Sequence, residues 1–329
     1  MKETVVVIGS NSFSGAHFVN FVLEQKASVV GISRSPEPLS VFLPYKGRNS
    51  QAFQFFQLDM NRDLAEIMKV VDTFRPDYVV NFASQGMVAE SWQTPEHWFQ
   101  TNAVANVQLH DQLRKRDFLK KYVHVSTPEV YGSCQGLVPE STAYNPSTPY
   151  AVSRAAADMS LMTFYKNYGF PVAFTRAANV FGPGQQLYRI IPRTILYFLM
   201  GKKLQLHGGG HSVRSFIHIR DVADGTWRVA RQADPGEIFH LSTSRNISIR
   251  DVVAMIAAQL KMSFEENVEI VSDRPGKDAA YLLDNSKARK VLGWQDKITL
   301  EQGIEETIAW IRDNLDVLSI QPHNYIHKL

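Results

Sequence analysis

The chain of 329 residues holds a single cysteine, Cys134. An internal disulfide is therefore excluded, which suits a reducing compartment. It also lacks any run approaching ~18 uncharged apolar residues, so no membrane-spanning helix is expected. The opening Met1-Lys2-Glu3-Thr4 leads into a strand-like run too short for the apolar segment of a secretory signal. No dense basic run, and no basic strip interleaved with aromatics, points to nucleic acid. Internal repeats and low-complexity tracts are missing too. What remains is a globular balance: 44% hydrophobic residues, 20% charged residues and a formal net charge of +3. A chain of this length can bury a full core and divides most simply into two domains. Its scattered Lys and Arg suit a phosphorylated small molecule, and a cytoplasmic location is expected.

Residues 4–8 form a continuous apolar, β-branched run, the pattern of a strand covered on both faces. Gly9-Ser10-Asn11-Ser12-Phe13-Ser14-Gly15 follows, then a helical pattern over 16–25 and a second strand over 28–32. This order sets a helix N-terminus against a pyrophosphate, and small residues let the backbone approach it. Further strands at 52–58, 78–82, 122–126 and 172–175, with helical patterns between, predict an α/β fold with a doubly wound parallel sheet. The second strand ends in Gly31-Ile32-Ser33-Arg34-Ser35, with one Arg and no acid. An acid there accepts the ribose hydroxyls of NAD, whereas an Arg accommodates the 2′-phosphate of NADP. NADP is slightly favoured over NAD, although Arg34 stacked on adenine or left in solvent reads the same.

In Tyr150-Ala151-Val152-Ser153-Arg154 a phenol and a cation four residues apart share one helix face. A cation there stabilises phenolate and is expected to lower the tyrosine pKa from its ordinary ~10. Alone, the pair is no more than a solvated helix face. Behind a dinucleotide-binding half it makes an acid/base suited to oxidising a sugar hydroxyl beside a nicotinamide.

These residues resemble the extended short-chain dehydrogenase/reductases, specifically the NAD(P)-dependent nucleotide-sugar epimerase/dehydratase family. The resemblance is strongest to dTDP-glucose and GDP-mannose 4,6-dehydratases. Gly9 and Gly15 match the outer positions of the family's Gly-x-x-Gly-x-x-Gly turn, and Ser12 replaces the middle one. The match implies a Rossmann sheet with a smaller α/β substrate-binding domain. It also implies a tightly bound NAD(P), with contacts from Gly9, Ser12, Phe13, Gly15, Arg34, Asp59, Met60, Ala83, Tyr150 and Arg154. Asp59 without the resemblance is an ordinary turn residue. No metal is implied.

The stretches Ser126-Thr127-Pro128-Glu129-Val130-Tyr131-Gly132 and Asn145-Pro146-Ser147-Thr148-Pro149-Tyr150 match the family's run into its catalytic helix. The resemblance implies that Thr127 hydrogen-bonds the sugar C4 oxygen and that Tyr150 takes its proton as hydride leaves C4. Arg154 stands where the family has Lys. It keeps the charge, but it is planar and longer and cannot reproduce a compact ammonium. Glu129, in isolation a solvent-facing loop acid, would act as base at C5 and acid for the departing C6 hydroxyl. In dTDP-glucose 4,6-dehydratases an Asp precedes that Glu, and here the position is Pro128. GDP-mannose 4,6-dehydratases keep the Glu without the Asp, so one carboxylate can serve both steps.

Further matches concern the substrate. Arg176-Ala177-Ala178-Asn179-Val180-Phe181-Gly182-Pro183 resembles the segment whose Asn approaches the sugar diphosphate. Arg214, after Gly208-Gly209-Gly210, matches the Arg that holds diphosphate, a task suited to a bidentate guanidinium. Asp273-Arg274-Pro275-Gly276-Lys277-Asp278 with Leu292-Gly293-Trp294 resembles the C-terminal signature of dTDP-glucose 4,6-dehydratases. Ser84-Gln85-Gly86-Met87-Val88 is closer to GDP- and CDP-sugar dehydratases. Gln85, Asn179, Arg189, Arg214 and Arg274 are thus the expected substrate contacts.

The dinucleotide domain is expected over 1–176 with about 215–241 and 286–315, and the substrate domain over 177–214 with 242–285. By resemblance, helices over 102–115 and 150–168 pair with their copies as the four-helix bundle of a homodimer. Val104, Val107, Leu109, Met159, Met162 and Phe164 there are equally explicable as core of one chain. The leading expectation is a nucleotide-sugar 4,6-dehydratase that makes a 4-keto-6-deoxy sugar nucleotide. An epimerase or C4 dehydrogenase is the alternative, and a catalytically weak protein that binds cofactor or sugar nucleotide is a third.

Overall fold

In the first strand, Val5 and Val7 face one hydrophobic cluster and Val6 and Ile8 another, all of them buried. Period-two alternation with apolar residues at every position requires cover on both faces, and helices supply it. The computed structural model describes residues 2–47, 50–134, 136–272 and 282–327. The chain runs β1 (Thr4–Ile8), α1 (Phe13–Glu24), β2 (Ser28–Ser33), β3 (Phe53–Gln57), α2 (Leu64–Phe74), β4 (Tyr78–Asn81) and α3 (Asn106–Leu113). It continues with β5 (Lys121–Val125), α4 (Pro149–Tyr168), β6 (Val172–Ala177), α5 (Ile190–Leu199), α6 (Ile219–Gln232), β7 (Ile238–Leu241), α7 (Ile249–Leu260) and α8 (Leu300–Asp313).

The seven strands form one parallel sheet in the order β3-β2-β1-β4-β5-β6-β7. Strand order reverses between β1 and β4, where Ile8 pairs with both Ile32 and Asn81. Ligands of open α/β sheets bind at the carboxyl ends of the strands at such a reversal. On one face, Phe18 of α1 and Tyr78 of β4 meet Trp227 of α6, with ring centroids 6.4 and 5.5 Å apart. On the other, Leu109 of α3 and Leu161 of α4 cover Val79 and Tyr122.

The helix that carries Tyr150 has strong end signals. Thr148 caps it by accepting from Ala151 N at 3.2 Å, Pro149 occupies its first turn, and Gly169 ends it in the left-handed region. Proline suits that first position because its missing N–H has no helical partner.

A separate core joins α5, α7 and α8 with the parallel pair Leu204–His207 and Val268–Val271. Residues 300–313 fall within the stretch expected in the dinucleotide half, and Leu300, Ile304, Ile308 and Ile311 are buried in this second core. The helix Ser286–Leu292 does pack with the dinucleotide half, through Ala288 and Leu292. A capping box, Thr299 with Gln302, starts α8 immediately after the crossing.

Candidate active site

Gly9 ends β1 with φ +81°, and a Cβ there would lie 2.6 Å from Ala83 N and 2.8 Å from Phe82 C. Only glycine fits, on grounds of both conformation and space. A Cβ at Gly15 would lie 2.1 Å from Gly9 O. Ser12, in the middle position, caps α1: its hydroxyl donates to Gly9 O at 2.7 Å and accepts from Gly15 N at 3.0 Å. The substitution thus tightens the turn from within. Phe13 opens the helix and is buried against His17. The result is a small-residue cradle leading into a helix N-terminus at the sheet reversal, and this fits a dinucleotide pyrophosphate.

Around the cradle lie the other expected cofactor residues. Asp59 follows β3, and one carboxylate oxygen accepts from Asn61 N at 2.9 Å, which shapes its own turn. Met60 is buried beneath, and Ala83 N donates to Asn81 Oδ1 at 2.9 Å. Arg34, at the end of β2, donates to Gln85 Oε1 at 3.3 Å, so a cofactor-side and a substrate-side candidate are in contact.

Beyond β5, Thr127 caps a single tight turn over Pro128–Tyr131, and its hydroxyl accepts from Glu129 N at 3.3 Å. Pro128 fills the first position of that turn and cannot titrate. From α4, Tyr150 is near enough to Arg154, Glu129, Thr127 and Arg189 for each to act on its proton affinity. Tyr150, Thr127 and Glu129 therefore meet at the carboxyl end of the sheet.

Two sequence expectations are corrected here. Arg154 does pull the Tyr150 pKa down, but burial outweighs it and the phenol is raised overall. Arg154 itself is turned inward: it is only 2% exposed, donates to Val125 O and lies 3.4 Å from His124 Nε2. A solvated helix face is therefore the wrong description of this pair.

A polar network behind the site was not anticipated. Asp158, one turn beyond Arg154, accepts from Arg176 Nη2 at 2.8 Å and from Ser126 Oγ at 2.6 Å. Arg176 also donates to Tyr131 OH, Ser141 O and Tyr144 OH. Asn102 lies in a π-helical turn, Gln100–Ala105, an irregularity frequent at functional sites. It accepts from Gln85 N at 2.7 Å and donates to Gln85 O and to Ser153 Oγ, both at 3.0 Å. Gln85 is thereby locked to the helix that carries Tyr150. Asn106, Asn81 and Tyr122 extend the chain of bonds inward. Nothing in the helical pattern expected over 102–115 discloses a π turn.

The substrate-side residues are less gathered. Asn179 donates to Ser215 O at 3.2 Å where strand Asn179–Phe181 pairs with Phe216–His218. Arg189 immediately precedes α5, lies over the Tyr188 ring and is close enough to Tyr150 to affect its proton affinity. Arg214 is in the ribbon of Val213–Arg214 with Ile247–Ser248 and donates to Val213 O at 2.8 Å. Arg274 lies outside the described residues. His17, missed in the sequence, ties α1 to the substrate side by a 2.8 Å bond to Pro183 O. Burial, with Arg220 nearby, lowers its pKa to about 4, so it stays neutral. Among the described residues no cluster of three His, Cys, Asp or Glu could hold a metal, and no helix is long and apolar enough to cross a membrane.

A glycine cradle at the reversal of a doubly wound sheet, with a Thr–Glu–Tyr set beyond β5, defines a nicotinamide-dinucleotide-dependent enzyme of the extended short-chain dehydrogenase/reductase class. A profile of the GDP-mannose 4,6 dehydratase family matches residues 6–307, and the chain belongs to that family of nucleotide-sugar dehydratases and epimerases. It is 30% identical to a dTDP-glucose 4,6-dehydratase of Neisseria gonorrhoeae, over 95% of this chain and 96% of the relative. The crystal structure of a dTDP-glucose 4,6-dehydratase from Bacillus anthracis in complex with NAD is similar, with a TM-score of 0.86 at 28% identity. That match covers 95% of this chain and 98% of the other. A UDP-glucose 4-epimerase from Thermotoga maritima, with UDP-glucose, reaches the same TM-score at 25% identity, over 95% and 99% of the two chains.

Proposed function

We propose that the chain converts a nucleotide sugar to its 4-keto-6-deoxy form, with Thr127, Glu129 and Tyr150 as the reacting groups. The observation that carries this reading is their convergence, with Glu129 and Thr127 on one tight turn and both near enough to the Tyr150 phenol to act on its proton affinity. A bound nicotinamide dinucleotide supplies the hydride acceptor for C4, the hydride for C6 and, when oxidised, a further positive charge. Thr127 orients the C4 hydroxyl. Tyr150 accepts its proton, helped by the Arg154 charge against the cost of burial. The 4-keto group makes the C5 proton acidic. Glu129 removes that proton and then delivers it to the C6 hydroxyl, which departs as water and leaves a C5–C6 double bond. As C6 regains hydride, C5 takes a proton, balanced by the one Tyr150 took from the C4 hydroxyl. Asn102 and Ser153 keep Gln85 in register with Tyr150 throughout.

Pro128 favours a second reading, in which Glu129 is incidental and the enzyme epimerises or oxidises at C4. Incubation of purified protein with dTDP-, GDP-, CDP- and UDP-sugars, without added cofactor, separates the two by mass spectrometry. Loss of one water from one substrate is expected. An unchanged mass with inversion at C4 would favour the epimerase. Arg34, with no acid beside it, favours NADP as the nucleotide released on denaturation; recovery of NAD alone would exclude that preference.

The family's homodimer is supported by exposed Val104 and Met159, 45% and 55% exposed on the segments concerned. Apolar side chains so placed gain by association. Leu109, in contrast, is fully buried within its own subunit, and Met162 and Phe164 pack against the same core. Met159→Glu is expected to give a monomer in sedimentation that keeps the circular-dichroism spectrum of a folded chain, with a melting temperature lowered by loss of the partner subunit. A dimer that survives this change would place the interface elsewhere.

A further inference from the structure

After the short helix Leu315–Ser319, the chain runs back as Gln321-Pro322-His323-Asn324-Tyr325-Ile326-His327. Burial alternates along it: Gln321, His323, Tyr325 and His327 are partly buried, and Pro322, Asn324 and Ile326 are exposed. This is the period of an extended segment lying on a surface. Its inner face is polar and aromatic rather than aliphatic, so burial of hydrocarbon alone does not account for its seating.

The two ends of the segment are held by different halves of the molecule. On the substrate side, Arg193 of α5 donates to His323 O at 2.8 Å and Asn324 Oδ1 at 2.6 Å. On the dinucleotide side, the His327 ring lies parallel to that of fully buried Trp98, with centroids 5.0 Å apart. Gln85 Nε2 can only donate, so His327 Nδ1 accepts at 3.0 Å. The remaining ring nitrogen then carries the proton and donates to His97 Nδ1 at 2.9 Å. Donors therefore run in one direction, from Arg34 through Gln85 and His327 to His97. Between the two anchors, Tyr325 bonds His327 and sits among the charges of Arg34 and Arg189. Arg189 also acts on Tyr150.

We propose that 321–327 is a retaining strap, in which Tyr325 and His327 close the cleft over the nicotinamide dinucleotide and must unseat before it leaves. The proposal rests on the reading above, in which hydride taken from C4 returns to C6. A cofactor restored in every cycle need not exchange, and a strap joining both walls slows its escape without hindering turnover.

The test is the rate at which dinucleotide leaves the purified full-length protein, followed by rapid filtration and chromatography of the nucleotide still bound. His327→Ala is expected to release it about tenfold faster, the scale of one or two lost hydrogen bonds, at an unchanged melting temperature. Removal of 320–329 should release it at least as fast, and Pro322→Ala, on the outer face, at the wild-type rate. Wild-type rates in both His327→Ala and the truncated protein would overturn the strap, as would failure of the wild type to hold NAD or NADP. Water lost from a sugar nucleotide with unaltered release would refute the strap alone. Faster release in the variants with no sugar nucleotide dehydrated would uphold the strap and refute the activity.

Discussion

Glu129→Gln is expected to stop the loss of water while leaving oxidation at C4 possible. The amide is the same size and leaves the Glu129 N to Thr127 bond, and hence the tight turn, in place. What it removes is the base for C5 and the acid for C6. General acid–base catalysis is worth about 10²–10⁴-fold, and here one group performs two such steps, so a fall in kcat toward the upper end is expected. Pro128 offers no titratable neighbour to take over. Reduced nicotinamide should accumulate with the 4-keto sugar, visible as near-ultraviolet absorbance. Full elimination activity in the variant would remove Glu129 from the mechanism and restore Pro128 as evidence for simple C4 chemistry.

The largest expected effect on stability is from Arg176→Met. Arg176 and Asp158 are both fully buried, and the guanidinium also lies over the Tyr131 and Tyr144 rings at 4.6 and 5.2 Å. Methionine fills much of the space but leaves the Asp158 carboxylate with one short hydrogen bond, from Ser126, and with His124 Nε2 3.5 Å away. Breaking one partner of such a pair costs about 3–5 kcal/mol, because a buried charge loses its compensation. The denaturation midpoint should fall accordingly, and Asp158→Asn added to Arg176→Met should recover part of the loss. A fall below about 1 kcal/mol would mean that water reaches Asp158 and that the network is less closed than its burial indicates.

Most of the sheet and the turn proposed as catalytic were legible in the sequence for physical reasons. Val5 to Ile8 is apolar on both faces, and only a strand covered twice accommodates that; the glycine at 9 has no substitute at φ +81°. The helix expected over 150–168 is bounded in the structure by Thr148-Pro149 and Gly169, residue types that favour helix ends. The partner of an amphipathic helix is another matter, because periodicity specifies a face and not what covers it. For that reason α8 was expected on the dinucleotide side. The direction of Arg154 was hidden as well: four-residue spacing places it near Tyr150, but its inward turn depends on the Val125 carbonyl and His124. The segment 321–327 drew no expectation from its sequence, because its contact with Gln85 and Trp98 joins residues more than two hundred positions apart.

The central claim is that hydride leaves C4 and comes back at C6 of the same sugar. It is tested most directly with the sugar nucleotide identified by mass, labelled with deuterium at C4 and incubated without free cofactor. The account predicts a product lighter by one water that carries the deuterium at C6. Deuterium recovered at C4 of an epimer, or found only in a reduced cofactor, would contradict it.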